Sequence, residues 1–165
     1  MKVSVYLVNL LKEHGIKTIF GHLGGFNADV VDAIYSDDEI HYVLNYHEQA
    51  SAFAANAHSI IKEQVAIATS SGAPSTCNLI AGIANAYFDS LPCLFITGSV
   101  HTLALRESPN IRQNAFEEID IVSMVAGISK FAVKIIDPLD IRYYFEKAMY
   151  LAKNKRPGPV VTDIS

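Results

Sequence analysis

The segment Val65-Ala66-Ile67-Ala68-Thr69 is the clearest strand in the sequence, and it is followed by a helix predicted from about Ser75 to Tyr87. A second strand, Cys93-Leu94-Phe95-Ile96-Thr97, comes next. The near-continuous apolar character of the first strand is typical of a strand buried on both faces of a parallel sheet. Strand, helix and strand in this order predict an α/β fold with a parallel sheet.

The same alternation continues in both directions along the chain. An N-terminal helix is predicted to stop at Gly15, Asn27 is a candidate N-cap for the next helix, and Asp137 is a candidate N-cap for the last one. We read residues 99–114 as a loop. These features together predict an open, mostly parallel six-stranded sheet with helices on both faces. The remaining strands are predicted at 18–20, 40–44, 131–135 and 160–164, and further helices at 47–62, at 117–126 and up to about Lys153.

Composition limits the function classes. A chain of 165 residues is expected to form one domain, and half of its residues are hydrophobic. The net charge of −4 and the lack of a basic run argue against nucleic-acid binding. Cys77 and Cys93 form no CxxC pair, so a reducing cytoplasm is the expected location. The sequence has no stretch of about twenty apolar residues, so no membrane span is expected.

The first candidate site residue is Glu48, in His47-Glu48-Gln49 between the predicted strand 40–44 and an alanine-rich helix. This junction lies at the carboxyl end of a strand, which is the edge where open α/β sheets bind ligands. The alternative is that Glu48 only favours the positive end of the helix dipole. His47 is the one obvious acid–base partner nearby.

Three other segments also follow predicted strands: 21–25, 70–78 and 98–101. Loops after successive parallel strands converge on one edge of the sheet, so we expect a shallow site with small residues and one carboxylate. The histidines show no metal-binding spacing, and neither a Gly-x-Ser-x-Gly nor a Walker A pattern occurs. The site is incomplete, and we expect another domain or subunit to supply the rest of it.

Six motifs follow one another along the chain. They are Phe20-Gly21-His22-Leu23-Gly24-Gly25, His47-Glu48-Gln49-Ala50, Ser71-Gly72-Ala73-Pro74-Ser75-Thr76-Cys77-Asn78, Gly82-Ile83-Ala84-Asn85-Ala86-Tyr87-Phe88-Asp89-Ser90-Leu91-Pro92 with Thr97-Gly98, Ala115-Phe116-Glu117-Glu118-Ile119-Asp120-Ile121-Val122, and Arg156-Pro157-Gly158-Pro159-Val160. In this order they resemble the pyrimidine-binding (N-terminal) domain of thiamine-diphosphate-dependent enzymes, most closely the acetolactate synthase branch. The resemblance covers essentially residues 1–165, which we therefore interpret as a single pyrimidine-binding domain.

The resemblance implies a catalytic role for Glu48. In the family, the matching glutamate bonds to N1′ of the cofactor's aminopyrimidine, and the cofactor then performs carbanion chemistry on 2-keto acids. The implied activity is acetolactate synthase-like carboligation or decarboxylation, as part of a lyase or transferase. The implied pocket residues are Gly24, Gly25, Pro74 and Asn78, and Phe116 and Glu117 are implied on the substrate side.

Four departures from the family pattern leave the exact substrate open. Leu23 replaces a proline, Ala73 and Ser75 replace glycines and are expected to tighten the approach to the pyrimidine, and Glu117 replaces a glutamine. The 165 residues of the sequence contain no Gly-Asp-Gly, the motif that begins the family's diphosphate and magnesium site. We expect another domain or subunit to carry that site and the isolated domain to be inactive. Whether the chain is an excised domain or a natural subunit stays open, as does the use of a flavin.

The helices 47–62 and 75–87 also predict association, because they carry few charges and many small residues. A helix that is apolar on all sides must be buried on more than one side. We therefore expect a homodimer through these two helices, although they could simply pack on their own sheet. The alternative function is a non-catalytic α/β assembly or regulatory module with a decayed cofactor pocket.

Overall fold

The sheet of this protein, seen in a computed structural model, contains six strands in the order β2-β1-β3-β4-β6-β5. Residues 1–62, 64–108 and 110–165 are described, without the side chain of Ala73. Every neighbouring pair of these strands is parallel. The predicted fold class is thereby confirmed. The strands are β1 Thr18–Gly21, β2 His41–Leu44, β3 Ala66–Ser70, β4 Cys93–Gly98, β5 Phe131–Ile135 and β6 Val160–Ile164.

Helices cover both faces of the sheet. On one face α1, α2 and α6 pack over an aliphatic and aromatic core that includes Leu10 and Phe145. On the other face α3, α4 and α5 pack over a second core that includes Ala52 and Phe95. In the described ranges no helix is long and apolar enough to cross a membrane. The helices are α1 Val3–Glu13, α2 Ala28–Tyr35, α3 Glu48–Lys62, α4 Ala73–Phe88, α5 Ile121–Val125 and α6 Ile141–Lys153.

Two helix ends agree with their sequence signals. Gly15 adopts a φ of +72° just after α1, a conformation that glycine tolerates without steric cost. Asp137 accepts a hydrogen bond from the Leu139 amide at 2.9 Å, as predicted for an N-cap. The helical turn that it caps is a short 3₁₀ turn, Pro138–Asp140, and α6 begins directly after it.

Two other helix starts agree only in part with their predictions, and Asn27 does stand directly before α2. Asn27 makes no side-chain bond to α2, because its amide instead accepts from Gly24 N and donates to His22 O, both at 2.9 Å. It holds the preceding turn together. The helix predicted at 117–126 begins only at Ile121, because Glu117 lies at a φ of +59°, which no helix can include.

The contact between α3 and α4 is unusually close. A Cβ added at Gly82 would overlap the Cβ of Ala52 and come within 3.3 Å of its Cα. Asn56 closes the contact by donating to the Gly82 carbonyl at 3.0 Å, and its Oδ1 lies 3.4 Å from Cys93 Sγ. Several of the small residues in these helices therefore serve packing within one chain. This is what the alternative to dimerisation predicted, namely that the helices pack only within their own domain.

We predict that Gly82→Ala lowers the free energy of unfolding by about 1–3 kcal/mol, the usual cost of overpacking. Alanine is the better helix former, so the sign of the change identifies the steric clash as its cause. Urea unfolding measures the effect. Gly127→Ala is the control, because a Cβ there meets nothing within 4 Å. Equal stability of the two variants would show that the helices do not meet at Gly82.

Candidate functional site

Three strand ends meet around Phe26. The Phe26 amide donates to Ser71 Oγ at 3.0 Å, which ties the turn after β1 to the end of β3. A Cβ added at Gly24 would overlap Ser71, and one at Gly98 would overlap the Phe26 carbonyl. Close approach, and not a positive φ, is therefore what makes Gly24 and Gly98 necessary. The predicted convergence of these loops is present in the structure.

Glu48 begins α3 and is only 6% exposed. Its Oε2 accepts a hydrogen bond from Asn78 Nδ2 at 2.9 Å. Its Oε1 has no hydrogen-bond partner among the described residues and is available to an external donor. A largely desolvated carboxylate with one fixed and one available oxygen can hold a ligand group and share a proton with it.

The Glu48–Asn78 bond belongs to a ladder of contacts between α3 and α4. Residues four apart on a helix lie on the same face, so Glu48 is followed on its face by Ala52, and Asn78 on its face by Gly82. Ala52 and Gly82 meet so closely that a Cβ added at Gly82 would overlap Ala52. The spacing of the helices at that contact therefore sets the distance between the carboxylate and the amide one turn earlier.

The loop before α3 is fixed by Asn45. Its backbone amide donates to Gly21 O at 2.9 Å and its side-chain amide donates to Ser51 Oγ at 3.0 Å. His22 Nδ1 lies 2.8 Å from the Asn45 carbonyl. Because a carbonyl can only accept, Nδ1 carries the proton in this bond. Asn45 and Ser51 could not be predicted as site residues from the sequence, because no local motif marks a bond between a loop and a helix turn.

The structure pairs His47 with the Gln49 amide and not with Glu48. Its side chain is exposed, and Nδ1 accepts a hydrogen bond from the Gln49 amide at 3.2 Å. This contact satisfies a free amide at the start of α3. No hydrogen bond joins His47 to Glu48 in the part of the chain described here, so Asn78 is the polar partner of the carboxylate.

The other residues implied for the pocket differ in their surroundings. Pro74 is exposed in the first turn of α4, one turn before Asn78 and on the same face. Gly25 is exposed with nothing within 4 Å of an added Cβ. Ser75 Oγ donates to Gly72 O at 3.0 Å. The predicted effect of Ala73 concerns a side chain that lies outside the described part of the structure.

Phe116 and Glu117 lie in the segment 99–120 between β4 and α5. The Phe116 side chain is 80% exposed. Glu117 has a φ of +59°, a conformation that costs energy for a residue with a side chain and often marks a functional position. The described hydrogen bonds do not connect this pair to Glu48 or Asn78.

Glu118 organises this segment. Its carboxylate accepts from the amides of Arg106 at 2.8 Å, Asn114 at 2.7 Å and Ala115 at 3.3 Å. Partial burial opposes ionisation of Glu118, but these three donors and the nearby Arg106 charge together lower its pKa below the ordinary value of 4.5. The ionised carboxylate therefore holds both arms of the segment.

A cavity of about 410 Å³ opens beside the strand ends on the other face of the sheet, next to Asn27, Thr97 and Gly98. Glu48 and Asn78 do not line it. Within the described ranges, no three histidine, cysteine, aspartate or glutamate side chains are grouped closely enough to hold a metal ion. The carboxylate of Glu48 thus lies outside this cavity.

Comparison with known proteins places this architecture in a family. Residues 1–124 match the family described as "Thiamine pyrophosphate enzyme, N-terminal TPP binding domain". The chain belongs to this family of thiamine-pyrophosphate-binding domains, as its motifs and its parallel sheet indicated.

Individual relatives are acetolactate synthases. The chain is 37% identical over 161 residues to the acetolactate synthase of Arthrospira platensis, covering 96% of this chain and 27% of the relative. It is 35% identical to the acetolactate synthase large subunit of Lactococcus lactis subsp. lactis (strain IL1403), in an alignment that covers 98% of this chain and 27% of the relative. It is 36% identical to the probable acetolactate synthase large subunit of Methanocaldococcus jannaschii, with 99% of this chain and 27% of the relative covered. The chain thus spans about a quarter of the length of these relatives.

We predict that Glu118→Gln accelerates tryptic cleavage after the exposed Arg112 by about tenfold, because the charged acceptor of three hydrogen bonds is lost. In the wild type the pKa of Glu118 is lowered on folding. Its contribution is therefore complete above the ordinary carboxyl pKa and is lost as the pH falls through the lowered value.

The matched control is Glu117→Gln, since the neighbouring side chain makes no described hydrogen bond. Carboxyl NMR titration checks the direction of the shift. A Glu118 midpoint at or above 4.5, or equal cleavage of both variants, would refute this role for Glu118.

Proposed function

We propose that this chain supplies the pyrimidine-binding side of a thiamine-diphosphate-dependent enzyme that acts on 2-keto acids, with Glu48 as the residue that activates the cofactor. The observation that supports the proposal best is the buried carboxylate of Glu48, with Oε2 bonded to Asn78 and Oε1 available. When bound, the cofactor supplies carbanion chemistry at C2 of its thiazolium ring.

The residues present fit an aminopyrimidine. Its N1′ is a ring nitrogen, and a carboxylate oxygen can share a proton with such a nitrogen. Asn78 holds Oε2 at 2.9 Å and so orients the carboxylate. Gly24, Gly25 and Pro74 bring little side-chain bulk to this edge of the sheet, which leaves room for a flat ring. Glu48 would thus hold a proton at N1′ from a fixed position.

The alternative of a non-catalytic module with a decayed pocket has less support. A decayed pocket would be expected to lose the burial and the partner of its carboxylate, because an isolated buried charge is costly without a function to retain it. Glu48 keeps both its burial and its bond to Asn78. The departures at Leu23, Ser75 and Glu117 leave this pair intact.

Phe116 and Glu117 are proposed to face the substrate. An added carboxylate at Glu117 would repel an anionic 2-keto acid unless it is protonated or paired. The chemistry is therefore proposed only as decarboxylation or acetolactate synthase-like carboligation of a 2-keto acid. The diphosphate and its magnesium ion are proposed to be held by another domain or subunit, and the free Cys77 and Cys93 fit a reducing cytoplasm.

We predict that Glu48→Gln in the complete enzyme slows proton–deuterium exchange at C2 of bound thiamine diphosphate by about 10²-fold or more, the usual range for a lost acid–base group. Glutamine preserves the size of the side chain, so the fold is expected to remain. NMR of quenched samples measures the exchange. Glu107→Gln, at an exposed position, is the control, and wild-type exchange in Glu48→Gln would exclude the proposed role.

A homodimer is proposed because exposed apolar residues continue along both helices that carry the site. On α3, Phe53, Ala57 and Ile60 follow one another at helical spacing and are all exposed. On α4 the apolar residues Ala81 and Phe88 are exposed, seven positions apart on one face, and Asn78 precedes them on that face. The exposed strips lie next to the Glu48–Asn78 pair, so a partner bound there would enclose it.

We predict that the domain sediments as a dimer at micromolar concentration, through an isologous interface of roughly 1,200–2,000 Å² or more. Phe53→Arg should produce monomers, because it places a charge in the apolar interface. Tyr143→Arg, at an exposed aromatic residue of α6, should leave the dimer intact. A monomeric wild type, or a dimer broken only by Tyr143→Arg, would contradict this interface.

A further inference from the structure

An ion pair between a partly buried lysine and a buried aspartate joins the last two strands at the carboxyl edge of the sheet. Lys134 of β5 and Asp163 of β6 are register partners, and Lys134 Nζ lies 3.1 Å from Asp163 Oδ2. Asp163 is only 2% exposed, and its Oδ1 accepts from Thr97 Oγ1 at 2.7 Å. No well-directed hydrogen bond reaches Oδ2 among the described residues, so the contact with Lys134 is one of charge.

The same ammonium reaches both ends of the segment 99–120. Lys134 Nζ donates to Ser99 Oγ at 3.1 Å, where the segment leaves β4. It also donates to the Ile119 carbonyl at 3.4 Å, where the segment approaches α5. One charged group therefore contacts two strand ends and both ends of the loop that carries Phe116 and Glu117.

We propose that Lys134 is a positioning residue, which holds both ends of the segment 99–120 against Asp163 and so fixes the placement of Phe116 and Glu117. The proposal rests on the proposed function in that these two residues face the substrate. The described partners of Lys134 do not include Glu48 or Asn78.

Two observations favour a positioning role over a general stabilising one. A buried ion pair loses its hydration, and apolar residues at the same positions often serve a sheet as well or better. The ammonium also donates its two hydrogen bonds to the segment, at Ser99 and Ile119, and not to other parts of the sheet. Glu118 joins the arms of the segment to each other, whereas Lys134 joins the segment to the sheet.

The test uses a double variant of the complete enzyme, Lys134→Met with Asp163→Asn. The single variant Lys134→Met would leave a buried carboxylate without its cation and could unfold, whereas the double variant removes both charges. The asparagine introduced in place of Asp163 can still accept the Thr97 hydrogen bond. Lys147→Met is the control, since Lys147 lies over the Phe131 and Tyr143 rings and contacts no part of the segment in the described structure.

The deciding readout is hydrogen–deuterium exchange of amides 99–120 compared with those of β3 and β4. We expect at least tenfold faster exchange in the segment alone, with the strands unchanged. With pyruvate as the probe substrate, the KM should rise about tenfold while C2 exchange of bound thiamine diphosphate keeps its wild-type rate, because Glu48 is untouched.

Unchanged exchange in the segment would overturn the proposal. So would faster exchange throughout the sheet, or loss of the fold, because the pair would then stabilise the sheet and not the segment. Wild-type enzyme that shows no C2 exchange would instead refute the proposed function, and the amide exchange would still report on Lys134 as an anchor of the segment.

Discussion

The close packing of α3 on α4 is the constraint on which the candidate site depends. Ala52 packs against Gly82 so closely that no larger residue fits at position 82 without a shift. Asn56 donates a hydrogen bond to the Gly82 carbonyl at the same contact. One helical turn before this contact, the two helices present Glu48 and Asn78 at 2.9 Å. A wider helix pair would leave the buried carboxylate without its amide, so a steric feature of the core positions Glu48 against Asn78.

The parallel sheet supplies the second constraint. Its strand ends bring the turn of Gly24, the end of β3 at Ser71 and the end of β4 at Gly98 together around Phe26. The segment 99–120 starts from the same edge and is held by Glu118 internally and by Lys134 at its base. Glu48 and the segment that carries Phe116 and Glu117 therefore both follow strands that end at this edge.

The sequence predicted the features that depend on local pattern. Strand positions follow from short apolar runs, and β5 and β6 match their predicted ranges, because buried strands leave a clear signal. Glu48 could be singled out because it follows a strand directly. Its burial and the pairing with Asn78, thirty residues later, require knowledge of how two helices pack.

Other features could not be predicted for the same reason. Asn27 carries the residue type of an N-cap, yet two backbone groups of the preceding turn take its amide. The left-handed Glu117 shortens α5, although nothing in its residue type indicates this conformation. Lys134 and Asp163 are register partners only once the order of β5 and β6 is known.

The central claim is that Glu48 holds the cofactor's aminopyrimidine through the oxygen that Asn78 leaves available. The most direct measurement is an experimental structure of the complete enzyme with thiamine diphosphate bound. We expect Glu48 Oε1 within hydrogen-bonding distance of N1′, with Oε2 still accepting from Asn78. A bound cofactor whose N1′ is paired with another group, with Glu48 turned away from it, would contradict the account.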